Sequence, residues 1–247
     1  MKAQYVGDIG DFGKVLLLKC LASLGFKIGI NWILTGKSKN SDGKHRDYAA
    51  YGPRECLCCC DEEIFNRILP LARKEGDQRA IEDLEAIIRS FSRSTVFFSK
   101  EYKSGKTRAD TEAEALTMLA PSLADLVFFD PDNGIGRIGG TSSKHVYYAD
   151  LRRYWERGQS VLVYHHLSHE TPHAAQIDLK KSELESELLD SKVYSYWLRR
   201  GTARVYFLCV QPAHLMRIRE HSTFAAIEPL IVIKREWRRK VVCRTTH

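Results

Sequence analysis

The chain has 247 residues, 44% of them hydrophobic and 28% charged, with a formal net charge of +7. That composition supports a sizeable core and argues against disorder, and the length suits one α/β domain over residues 1–247. Apolar runs such as residues 15–18 and 126–129 fall far short of the ~20 residues that cross a bilayer. The first residues also lack the apolar stretch of a secretory signal, so a cytoplasmic protein without membrane contact is expected.

In chain order, a helix is expected over residues 7–24. Asp8 or Asp11 would cap it, and Val15, Leu18, Leu21 and Ala22 recur at helical spacing. Residues 27–34 read as a strand and 35–52 as a polar loop. Seven cysteines, three of them consecutive at 58–60, make a poor disulfide framework. Residues 56–60 read instead as a short strand that uses cysteine as a small buried hydrophobe. The alternative, thiolates on a metal, lacks a second spaced ligand pair.

Helices follow at 61–74 and 78–90, a strand at 95–99, and a helix at 107–119 with Ala109, Ala113, Leu116 and Ala120 on one side. The strand expected at 125–129 is, after Asp125, apolar on both faces, which places it in the middle of a parallel sheet. Residues 145–157 are partly helical, 160–164 form the next central strand, and 177–189 a helix. Strands at 193–198 and 204–210 flank a hairpin turn at Arg199-Arg200-Gly201-Thr202. The alternation predicts a Rossmann-like, doubly wound α/β fold, with a mostly parallel sheet and a late antiparallel hairpin. Such sheets bind ligands beyond the carboxyl ends of their strands.

The strongest chemical signal is Asp130-Pro131-Asp132-Asn133-Gly134, delivered by the apolar strand. Pro131 fixes the backbone after Asp130, and the next three residues suit a tight turn. Two carboxylates and an amide concentrated there point to function more than to turning alone.

An Asp-Pro after an apolar strand resembles the Asp/Asn-Pro-Pro-aromatic motif of amino-directed, S-adenosylmethionine-dependent methyltransferases. The layout is similar to that of the single-domain rRNA adenine-N6 methyltransferases. Gly10-Asp11-Phe12-Gly13-Lys14-Val15-Leu16 resembles their first helix, and residues 199–203 through Gln211-Pro212 their late hairpin. The chain is also similar to a group of bacterial and phage proteins that share a Gly-Asp-x-x-Asp start, here Gly7 to Asp11, and Asp-Pro-Asp-Asn-Gly. The methyltransferase resemblance implies S-adenosylmethionine as cofactor, with Lys14 and Asp11 lining its pocket. It also implies Gly36 at the turn after the first strand and Asp61 on the ribose hydroxyls. Asp130 would accept from the target amine. Asp132 and Asn133 stand where the family has its second proline and its stacking aromatic.

A second reading uses the same acids for metal-dependent phosphodiester cleavage. Asp130 and Asp132, joined by Asp8, Asp11 or His165, would hold Mg²⁺ or Mn²⁺. His165 or His166 would act as base or ligand, and Lys14 or Lys144 would neutralise a phosphate. Residues 165–173 carry four histidines of the nine in the chain, His165, His166, His169 and His173. His166 therefore joins Asp130, Asp132 and Asn133 as a catalytic candidate. The glycine-rich stretch 134–140 with Ser142, Ser143 and Lys144 is a candidate phosphate cradle. A non-catalytic nucleic-acid-binding module on the same fold is the third reading.

The basic surplus is clustered. Arg199, Arg200 and Arg204 form one group, and Lys234, Arg235, Arg238, Arg239 and Lys240 another, with Trp237 as a stacking surface. DNA or RNA is the partner such clusters predict.

Overall fold

The computed structural model describes residues 1–2, 5–36, 46–48, 61–75, 78–137, 139–198 and 203–219. The expected strand at 56–60, most of the loop at 35–52, the turn at 199–202 and the basic segment after 219 lie outside the described residues.

The first helix, α1 (Ile9–Ser23), starts where Asp8 accepts the backbone N–H of Asp11 at 3.0 Å, an N-cap that satisfies one of the unpaired amides of the first turn. Val15, Leu18 and Leu21 are fully buried, and the helix is enclosed from Ile9 through Leu18. Strand β1 (Ile28–Asn31) follows, then α2 (Glu62–Arg73) and α3 (Ile81–Phe91). Next come β2 (Val96–Phe98), α4 (Lys106–Met118) and β3 (Leu126–Phe129). Short strands β4 (Gly134–Ile135) and β5 (His145–Val146) pair in parallel just after the aspartate turn and lead into α5 (Tyr148–Trp155). The chain continues as β6 (Ser160–His166), α6 (His173–Glu187), β7 (Lys192–Leu198), β8 (Arg204–Val210) and a short α7 (Leu215–Arg219).

Six strands form one sheet in the order β2-β1-β3-β6-β8-β7. The first four are parallel, and β8 lies antiparallel between β6 and β7. This is the expected Rossmann-like α/β architecture with its late antiparallel hairpin. Side chains alternate across the sheet as the pleat requires. Ile28, Ile30, Phe128 and Leu162 face the layer of α1, α2 and α3. Val127, Phe129, Val161 and Val163 face α4, α5 and α6. Phe129 pairs with Asn31 on one side and Val163 on the other, so Asp130 leaves the end of β3 beside Tyr164 of the adjacent β6, a strand that runs on past the expected 164 to His166. No described helix is long and apolar enough to cross a membrane.

Helix α4 corrects one expectation. Ala109 and Ala113 face solvent, while Arg108, Thr111, Glu112, Ala115 and Leu119 face the sheet. Alanine spacing misleads here because alanine is a strong helix former wherever it stands. The inward polar residues are tolerated because several of them meet partners under the sheet, described below.

Gly134 has φ +95°, and a Cβ there would lie 2.4 Å from His165 Nδ1 and 2.7 Å from His165 Cα. Gly139 also has a positive φ, +77°, but open space around it. Gly134→Ala is expected to lower unfolding stability by at least ~2 kcal/mol, through left-handed strain plus overlap. Gly139→Ala should cost about 1 kcal/mol, the conformational part alone. Urea denaturation of both variants checks the difference, and equal losses would contradict this account of the turn.

Candidate functional site at the carboxyl edge of the sheet

The amino end of α1 lies against the end of β3, and the two are joined by buried charges. Lys14 Nζ is 2.7 Å from Asp130 Oδ2 and 2.7 Å from Asp11 Oδ1. All three side chains are at most 5% exposed. Burial alone would lower the lysine, but Asp11 and Asp130 outweigh it and hold the ammonium above the ordinary lysine range. Asp11 moves the other way. Burial pushes its carboxyl up to about 6 against the pull of Lys14, with Asp8 and Asp130 adding repulsion. With two acids sharing one lysine, Asp11 and not Lys14 is the first of the pair to lose its charge as the pH falls. Asp11 also accepts the Gly7 N–H at 2.9 Å, so it ties the entry of α1 to the site.

Beside this triad, two backbone carbonyls converge on one cation. The Met1 ammonium donates to Ile33 O at 2.9 Å and to Asp130 O at 3.0 Å. Lys14 Nζ lies 3.7 Å from the Met1 sulfur and 5.4 Å from the ring centre of Trp32. Burial pushes the Met1 amine down to about 6 despite the attraction of Asp130 and Asp132. Ile33 sits at φ +41°, a left-handed conformation that a β-branched residue rarely adopts.

Asp132 points elsewhere, to Lys2 Nζ at 3.3 Å. The two acids of the turn thus face separate lysines. Among the described residues no group of three or more His, Cys, Asp or Glu is placed to share a cation. Asn133 is exposed, and its backbone N–H donates to Lys144 O at 2.9 Å.

The histidines divide. His165 Nδ1 accepts the Ile135 N–H at 3.0 Å, and burial pushes the imidazole down to about 4, helped by Lys180 and His166. It is a neutral clamp on β4. His166 is exposed at the end of β6, its pKa lowered by burial of part of the ring and by Arg204, His169 and His173, with Asp132 opposing. His169 and His173 face each other with ring centres 6.0 Å apart, and His173 opens α6 instead of lying in a loop.

Three sequence expectations change. Arg204, expected on a nucleic-acid surface, is 6% exposed and pairs with Asp8 at 3.4 Å across the mouth of α1. Its spacing beside Arg199 and Arg200 concealed a strand position that points inward. Asp61, expected at the cofactor ribose, caps α2 by accepting the Ile64 N–H at 3.0 Å and pairs with Lys19 at 2.7 Å. The second parallel strand is β2, so the acid that follows it is Glu101, which a Cβ on Gly36 would approach to 3.1 Å. The glycine-rich stretch is not a free cradle. Amides of Asn133, Ile135, Gly136, Gly140, Ser142, Ser143 and Lys144 already donate within the protein. Arg199, Arg200, Arg235, Trp237, Arg238 and Arg239 lie outside the described residues.

A second buried polar group on the opposite face escaped the sequence. Asn31 Nδ2 donates to the Tyr102 hydroxyl at 2.7 Å, and that hydroxyl donates to Glu112 Oε2 at 2.8 Å. Arg108 forms a two-pronged pair with Asp150 and also reaches His145 O at 3.2 Å. Burial, then Asp150, push Glu112 up to about 7, against Tyr102 and Arg108. Only the polar inner face of α4 hinted at it.

A scan against protein-family models finds no match, and no curated protein matches the chain.

Two measurements probe these charges. Lys14→Met leaves Asp11 and Asp130 buried without their cation and should cost about 3–5 kcal/mol in unfolding stability. Adding Asp11→Leu to it should restore part of that loss, and equal denaturation midpoints for wild type and Lys14→Met would remove the ion pair from the account. For Glu112 the folded pKa of about 7 lies above the ordinary 4.5. Its favourable contribution is therefore present at low pH and is lost as pH rises through that window. Glu112→Gln has no such titration, so its stability relative to wild type should climb between pH 4.5 and 7. The climb should be on the order of 3 kcal/mol at ~1.4 kcal/mol per pKa unit. A difference that stays flat with pH contradicts the raised pKa.

Proposed function

We propose that the protein transfers a methyl group from S-adenosylmethionine to an amino nitrogen of a nucleic-acid base. The observation that carries this reading is the convergence at the ends of β1 and β3. Asp130 leaves the central strand beside Tyr164, while the carbonyls of Ile33 and Asp130 meet on one ammonium. An ammonium with a thioether already sits there in Met1, and the methionyl part of the cofactor offers the same ammonium beside its sulfonium. The placement of β8 between β6 and β7 supports the same reading, because the late hairpin belongs to the resemblance.

The residues present fit the cofactor. Ile33 O and Asp130 O would take its amine, and Glu101, after β2, replaces Asp61 as the acid for the ribose hydroxyls. The cofactor supplies an electrophilic methyl group. Asp130 accepts a hydrogen bond from the target amine and so orients the nitrogen lone pair, while Lys14 fixes the carboxylate from behind. The separate lysine partners of Asp130 and Asp132 give the metal-dependent alternative less support.

Calorimetry with S-adenosylmethionine tests the reading. Saturable binding is expected, retained in Asp130→Ala, which has no acceptor for the target amine, while methyl transfer to mixed RNA or DNA is lost. Absence of binding at ~1 mM ligand, an interaction weaker than about −4 kcal/mol, would overturn it.

A further inference from the structure

We infer that Asn31, Tyr102 and Glu112 form a positioning relay that aims the Ile33 carbonyl into the crevice beside Asp130, and so make the crevice selective for ligands that carry a primary ammonium.

The hydrogen bonds run in one direction. The Ile33 N–H donates to Asn31 Oδ1 at 3.2 Å, Asn31 Nδ2 to the Tyr102 hydroxyl at 2.7 Å, and that hydroxyl to Glu112 Oε2 at 2.8 Å. Each link removes a choice from the next. Because Asn31 Nδ2 donates to the Tyr102 oxygen, the Tyr102 proton is left to point at Glu112 Oε2, which accepts it in either ionisation state. An amide that donates through Nδ2 to Tyr102 must present Oδ1 on its other side, and there it meets the Ile33 N–H. That bond holds Ile33 at φ +41°, a conformation the residue would not keep unaided. The Ile33 carbonyl, on the next peptide, leaves this left-handed residue facing the same ammonium as Asp130 O. Asn31, Tyr102 and Glu112 are each at most 1% exposed, so water does not compete for these bonds. A polar chain of this length under a sheet is costly to bury, and fixing a strained carbonyl is a use proportionate to that cost.

The inference rests on the cofactor reading only for its choice of ligand. Tyr102→Phe keeps the ring that packs on Phe98, with centres 6.1 Å apart, and deletes the hydroxyl. Two readouts apply to this variant. The first is hydrogen exchange of the Ile33 amide, which needs no ligand and should become at least about tenfold faster relative to the Ile30 amide. The second is calorimetry with S-adenosylmethionine and with 5′-methylthioadenosine, which lacks the ammonium. Affinity for the first should fall about tenfold and for the second stay within about twofold. Glu112→Gln, which keeps an acceptor oxygen, should preserve Ile33 protection, while Glu112→Leu should not. Unchanged Ile33 exchange in Tyr102→Phe overturns the relay, as does equal weakening of both ligands. If the wild type binds neither ligand, the methyltransferase reading fails, and faster or unchanged Ile33 exchange alone then decides for or against the relay.

Discussion

The ion pair between Lys14 and Asp130 is the contact on which the rest of the site depends. It joins the first helix to the central strand across 116 positions of sequence. A helix as enclosed as α1 would bring a bare lysine into the core at a cost of several kcal/mol. The Asp-Pro turn would likewise strand a carboxylate. Each charge is tolerable only because the other is there, so the register of α1 against the sheet edge is set by electrostatics as much as by apolar packing. Asp8 and Arg204 repeat the arrangement one turn away and bring β8 into the same corner.

The opposite face of the sheet meets a related demand with a chain of hydrogen bonds and a separate ion pair. Asn31 stands at the end of β1 with its side chain toward α4, whereas Asp130, one strand over, points toward α1. The carboxyl edge is therefore flanked by two polar networks that share only backbone: the Asp130 N–H donates to Asn31 O at 3.0 Å. A ligand of the proposed kind would meet carbonyls and a carboxylate whose directions are already settled, and little reorganisation would accompany its binding.

Much of this was legible in the residues. The apolar run before Asp130 and the alternating elements after it predicted a central parallel strand and a Rossmann-like sheet, and periodicity located most helices within a few residues. Asp130 and Lys14 were named as candidates from their motifs, and the fold brings their side chains together. The readings that failed share a cause. Arg204 was placed on the surface because charge is usually solvated. Ala109 and Ala113 were grouped with Leu116 on one side of a helix, and that side proves to be the more exposed one. Asp61 was assigned a ligand because it follows a stretch read as a strand. In each case a tertiary partner decided the matter: Asp8 for Arg204, the buried face of Arg108 and Glu112 for the alanines, and Lys19 with the α2 amides for Asp61.

By itself the sequence determined the fold class, the central strand and the acid at its end, because these follow from local properties: hydrophobic period, turn chemistry and proline. Tertiary structure alone decided that Lys14 neutralises Asp130, that Lys2 takes Asp132, and that Asn31, Tyr102 and Glu112 hold Ile33 in a left-handed turn. Side-chain pairings of that kind join residues from 10 to 130 positions apart. Their energies depend on burial and on which strands lie side by side. No local pattern encodes either, since the same lysine or glutamate in water would have needed no partner.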